Sequence, residues 1–140
     1  MTPDMMEDAM LQSPVFLRRV LFADAAVSGA TGAVMALGVG LIAPLTGLPQ
    51  ALLLAAGLSL LPYGAVVAMV AARASLSRPA VWAIIAYNAL WVVDSLVLLR
   101  TGWIAPTLLG EAFVIFQAAV VGIFAALQYL GLRRSPATAG

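Results

Sequence analysis

The sequence predicts an all-α polytopic membrane protein, a bundle of four transmembrane helices with both termini on the cytoplasmic side (N-in/C-in). Three observations predict it. The 140 residues are 64% apolar and only 9% charged, with a mean hydropathy of +1.07, against roughly 45–50% apolar and 25% charged in soluble domains. Four apolar runs reach the length of about 20 residues that a helix needs to cross the hydrocarbon core. Finally, all seven cations are arginines, and six of them fall on one side of the predicted spans.

The first run covers about Val20 to Ala43, between Arg18-Arg19 and Pro44. The second covers Pro49 to Ala72 and stops before Arg73; the third, Pro79 to Leu99, lies between Arg78 and Arg100. The fourth covers Pro106 to Leu132 and ends at Arg133-Arg134. Pro44, Pro49, Pro79 and Pro106 fall near predicted helix ends, where a missing N–H costs little. Pro62 falls inside the second run and is expected to kink it, freeing a carbonyl near Leu58. Residues 1–15 read as a short cytoplasmic arm, residues 16–134 as one transmembrane domain and residues 135–140 as a disordered tail.

Orientation follows from the arginines. Arg18, Arg19, Arg73, Arg78, Arg133 and Arg134 share one side and Arg100 alone marks the other, so the positive-inside rule places both ends in the cytoplasm. Arg18 to Phe22 loosely resembles a twin-arginine signal, but the following apolar run is too long for a cleaved leader and acidic residues precede it. Small-residue ridges occur along the first run (Ser28, Gly32, Ala36, Gly40), the second (Gly64, Ala68, Ala72) and the fourth (Ala118, Gly122, Ala126). In lipid, helices associate through such close contacts. Trp82, Trp103 and Tyr129 stand where interfacial anchors belong.

The composition excludes several chemistries. There is no Cys, His or Lys, hence no thiolate catalysis, Cys/His zinc site or His-ligated haem. No metal or cofactor is expected. A net charge of +1 leaves no electrostatic footprint for nucleic acid. No nucleophile–base pair or nucleotide loop is visible, so the chain does not read as an enzyme. The expected partners are the lipid bilayer and either further copies of the chain or a larger membrane complex.

The stretch from Tyr87 to Gln117 carries Asn88, Asp94, Arg100, Glu111 and Gln117. Folded as a hairpin about Thr101–Ala105, it sets Asp94 level with Glu111 and, deeper, Asn88 level with Gln117. Six residues of helix turn by about 120°, so at most one of these pairs is direct. Glu111 shares its side with Ala118, Gly122 and Ala125 and is expected to point into protein; Asp94 shares its side with Tyr87 and Trp91. Ionisable residues inside a span cost about 2.5–3.5 kcal/mol at its centre and mark functional sites by default. The candidate ligand or proton site is therefore Asp94, Glu111, Asn88, Gln117, Tyr87, Trp91 and Arg100, with neutralisation of either carboxylate expected to remove transport and leave the fold. A structural ion pair with Arg100 is the rival reading. Asp24, near the inner edge and favoured by the helix dipole, is a secondary member. Together these residues place polar groups at three depths.

The layout from Phe16 to Arg134 resembles that of short, uncharacterised four-span integral membrane proteins of bacteria. That resemblance implies an inner-membrane location and no particular activity. The expected function is binding or passage of a small ligand, proton or cation by an oligomer; the alternative is a non-catalytic accessory subunit or assembly factor.

Overall fold

The computed structural model describes residues 2–5 and 14–134. The tail at 135–140 and most of the expected N-terminal arm lie outside the described residues. Five helices follow Pro14: α1 (Pro14–Leu37), α2 (Val39–Thr46), α3 (Gln50–Ala72), α4 (Arg78–Thr101) and α5 (Leu108–Arg134). No strand occurs among the described residues. Helices α1, α3, α4 and α5 are long and apolar enough to cross a membrane.

The first span differs from its expected bounds. It starts at Pro14, six residues early, and breaks at Gly38 instead of reaching Ala43. Glycine at positions 38 and 40 weakens the helix, and Pro44 has no N–H to give the Gly40 carbonyl. The chain restarts at once as the short α2, where the Ile42 N–H bonds back to the Gly38 carbonyl and Pro44 sits inside the helix. α2 ends at Gly47, whose φ of 71° is the left-handed cap that glycine adopts without strain. α3 is one continuous helix through Pro62. α4 starts on a Ser77 cap that accepts the Ala80 N–H at 3.3 Å and ends at Gly102, φ 77°.

The spans form a square in the order α1, α3, α4, α5, with the most extensive packing between α1 and α3 and then between α4 and α5. The seam between α3 and α4 is the thinnest of the four. α1 and α3 run antiparallel at backbone contact. A Cβ on Gly32 would lie 2.6 Å from the Gly57 carbonyl oxygen, and one on Gly64 would lie 3.0 Å from that of Ala25. Gly32 and Gly64, from the two predicted ridges, thus set this pair. The fourth-span ridge is looser: a Cβ on Gly122 would meet only a Val92 methyl, at 3.7 Å.

Arginines tie the helix ends together. The Arg18 guanidinium donates to the carbonyls of Ala71, Arg73 and Ala74 at the end of α3, and Arg78 Nη1 donates to the Leu132 carbonyl at 3.0 Å near the end of α5. These carbonyls have no partner within their own helix, and a cation there also suits the helix dipole. At the opposite end the Thr107 N–H and hydroxyl donate to the carbonyls of Thr46 and Leu45 at 2.9 and 2.7 Å, clamping α2 to the start of α5.

Candidate functional site

Polar side chains from all four spans meet at the centre of the square. Asp24 on α1 is 1% exposed, about 15 Å along its helix at roughly 1.5 Å per residue. Its Oδ1 accepts the Ser28 hydroxyl at 2.9 Å, a contact one helical turn apart. Its Oδ2 accepts Asn88 Nδ2 of α4 at 3.0 Å and Gln128 Nε2 of α5 at 2.7 Å. The Tyr63 hydroxyl of α3 lies 2.9 Å from the same oxygen and 2.8 Å from Asn88 Oδ1. Asn88 Nδ2 also donates to Gln128 Oε1 at 3.0 Å. Asn88 is 2% exposed and Gln128 fully buried. Every one of these partners is uncharged.

A second polar group lies further along α4, toward the end opposite the chain termini. The Trp91 indole N–H donates to Gln117 Oε1 at 2.5 Å, and Gln117 Nε2 donates to Ser95 Oγ at 3.0 Å and to the Val114 carbonyl at 2.9 Å. The Ser95 hydroxyl in turn donates to the Trp91 carbonyl at 2.7 Å. An aromatic ladder joins the two groups: Tyr63 and Tyr87 stack with ring centroids 4.2 Å apart, and Tyr87 lies 6.1 Å from Trp91.

Two cavities lie beside these groups. One of about 200 Å³ has Asp94, Ser95 and Gln117 on its wall, among Leu52, Leu53 and Phe113. The other, of about 160 Å³, reaches Ser28. Thr31, Trp91, Phe113 and Gln117 line both, so the Trp91–Gln117 hydrogen bond stands between them. The polar column therefore runs from Asp94 past Trp91, Gln117 and Thr31 to Ser28 and Asp24.

The hairpin expectation is corrected in several places. Asn88 and Gln117, expected at one level, have separate partners: Asn88 turns to Asp24, Tyr63 and Gln128, and Gln117 to Trp91 and Ser95. Glu111 does not point into protein. It is exposed in the first turn of α5, because the helix begins at Leu108 and its fourth residue is still near the end. Arg100 is exposed in the last turn of α4. Both charges suit the helix dipole where they stand. Asp94 is exposed, on the cavity rim. The side-chain hydrogen bonds of the two polar groups leave out Asp94, Glu111 and Arg100. Tyr87 contributes its ring face, and Trp91 both packs and donates. Asp24, expected near the inner edge as a secondary member, is the hub, while Arg18 is committed to the α3 carbonyls.

Ser28, Tyr63 and Gln128 were not among the expected site residues. A signal existed for two of them. Ser28 follows Asp24 by four residues, one turn up the same face, and Gln128 follows Gln117 by eleven, close to three full turns. Tyr63, next to Pro62, had none. No protein-family model, no curated protein and no solved structure matches this chain.

Proposed function

We propose that this chain is a multi-pass bacterial inner-membrane protein, with both ends cytoplasmic, that binds or passes a small ligand, proton or cation along the axis of its bundle, working as an oligomer. One observation carries this reading: a carboxyl group buried among four apolar spans, bound by side chains from every span and, among the described residues, by no cation. Polar contacts that only pin helices together are met as well by Asn or Gln. An ionisable group in that place costs a few kcal/mol more to insert, so its ability to change charge is what Asp24 adds. The site accordingly centres on Asp24, Asn88, Tyr63 and Gln128, with Trp91, Gln117 and Asp94 along the route. Glu111 and Arg100 lie outside it. Six arginines at the end of the bundle where α1 starts and α5 finishes support the orientation.

The test is flux into liposomes holding the purified full chain and a trapped pH-sensitive dye, under an imposed potential. Proton flux in the wild type, lost in Asp24→Asn, supports the reading. Flux of protons and of small cations at the level of empty liposomes overturns passage and leaves only binding.

A second reading has its own observation. Asp94 is exposed on α4 beside Leu90, Val93 and Val97, which are also exposed. A carboxylate facing hydrocarbon is costly, and another protein surface relieves it. In an accessory subunit that surface belongs to a larger complex; in a transporter it belongs to a second copy. Native mass spectrometry of the protein from its own membrane separates the two.

A further inference from the structure

The hydrogens in the central cluster do not add up for an ionised Asp24. Three oxygen–oxygen contacts of hydrogen-bond length occur there: Ser28 Oγ to Asp24 Oδ1 at 2.9 Å, Tyr63 Oη to Asp24 Oδ2 at 2.9 Å, and Tyr63 Oη to Asn88 Oδ1 at 2.8 Å. Serine and tyrosine hydroxyls supply one hydrogen each, and a carboxylate supplies none. Two hydrogens face three contacts. Turning the Asn88 amide over does not help, since its oxygen would then face Asp24 Oδ2 and Gln128 Oε1. The missing hydrogen has one consistent position. On Asp24 Oδ2 it donates to Tyr63 Oη, which frees the tyrosine hydrogen for Asn88 Oδ1, while Oδ2 keeps lone pairs for the amide N–H groups of Asn88 and Gln128.

We propose that the ligand of this site is a proton, bound at Asp24, and that the bound proton clasps α3 to α4 through Tyr63 and Asn88. The inference rests on the functional reading above and names its ligand. Uptake adds one hydrogen to Oδ2, breaks no other covalent bond and swings the Tyr63 hydrogen from Asp24 to Asn88. On release, Tyr63 has one hydrogen for two oxygens and gives it to the charged one. Asn88 Oδ1 is then left against a bare phenolic oxygen, and that contact opens.

The place of the contact gives the change a consequence. It crosses the thinnest seam of the square, where the Tyr63–Tyr87 stack and a hydrogen bond between Tyr87 and Ser59 are the neighbouring ties. α1 adds Ser28 to the surroundings of Asp24, α3 adds Tyr63, α4 adds Asn88 and Tyr87, and α5 adds Gln128; none of these carries a charge at neutral pH. The cavity of about 160 Å³ comes as near as Ser28, whose hydroxyl donates to Asp24 Oδ1.

The chain has no Cys, so two cysteines placed at exposed Leu61 and Leu90 report the α3–α4 distance by spin labelling without background. In the full chain in liposomes, the distance distribution is expected to be narrower at low pH and to lengthen and broaden as the pH is raised. Infrared difference spectra over the same range should show a carboxylic-acid carbonyl band that vanishes in Asp24→Asn. Asp24→Asn should also remove the pH dependence of the distance, while Glu111→Gln should keep it. A distance independent of pH in the wild type, or a pH dependence surviving in Asp24→Asn, overturns the clasp. The liposome flux assay separates the two claims. Flux that needs Asp24 without any pH-dependent distance sinks the clasp and leaves the functional reading. A titrating clasp without flux does the reverse, leaving a proton-binding protein that transports nothing.

Discussion

Asp24 and Asp94 are the same residue type, each inside an apolar span, yet the structure treats them oppositely. Asp24 is buried and meets hydrogen-bonding groups on four side chains from four helices. Asp94 is exposed at the rim of a cavity. The difference comes from neighbours rather than depth. Asp24 sits where Gly32, Gly57 and Gly64 bring α1 onto α3 and the amides of α4 and α5 close the square from the far side. Asp94 sits on a helix whose nearest small-residue contact, at Gly122, is loose. A carboxylate in a membrane is informative in proportion to how completely the other helices surround it.

The most direct way to break this comparison is to delete each carboxylate. Asp24→Ala leaves Gln128 Nε2 and the Ser28 hydroxyl without their acceptor. Each buried orphan costs about 1–3 kcal/mol, so a loss of roughly 2–6 kcal/mol is expected in unfolding titrations in mixed micelles. Asp94→Ala in the isolated chain should stay within about 0.5 kcal/mol. Equal losses would remove the distinction.

How much of this was legible beforehand depends on what each inference used. The four spans follow from hydropathy alone, because any helix crossing lipid must satisfy its backbone internally and be apolar along its length. The α1–α3 contact was visible in the ridges at Gly32 and Gly64, since backbone approach demands small residues. The site was not legible, for three physical reasons. By hydropathy Asp24 is peripheral, because the apolar run starts after Arg18-Arg19, whereas the helix starts at Pro14 and carries both arginines within it. The hairpin register assumed a symmetric bend, but the link from Gly102 to Thr107 is bonded to α2 and starts α5 only at Leu108. Most of all, an amide's reach decides its partner: Asn88 spans the diagonal of the square to Asp24, a relation between first and third spans that no pairwise hairpin geometry contains.

The second polar group sharpens the comparison at intermediate size. Trp91→Phe keeps the ring and the apolar wall but removes the indole N–H that Gln117 Oε1 accepts. Gln117 keeps its donated bonds to Ser95 and Val114, so only one acceptor is affected, with a loss of about 1 kcal/mol. Because that bond stands between the two cavities, the same variant should raise proton flux if the passage is gated there. Liposome flux and micelle unfolding on one preparation read both effects; flux below the wild type would place the gate elsewhere.

The smallest effect belongs to the α4–α5 turn. Glu111 lies in the first turn of α5 and Arg100 in the last turn of α4, and both are exposed. Each gains about 0.3–1 kcal/mol from the helix dipole at low ionic strength, and a surface pair adds little to that. Glu111→Gln and Arg100→Gln are therefore expected to cost a few tenths of a kcal/mol each, roughly additively, and added salt should shrink the cost by screening. Flux should be unchanged in both. A strong coupling between the two in a double-mutant cycle, or loss of flux in Glu111→Gln, would move the site back toward the α4–α5 turn. The buried carboxylate of α1 would then be a packing device, and the charge it withholds from every arginine would need another explanation.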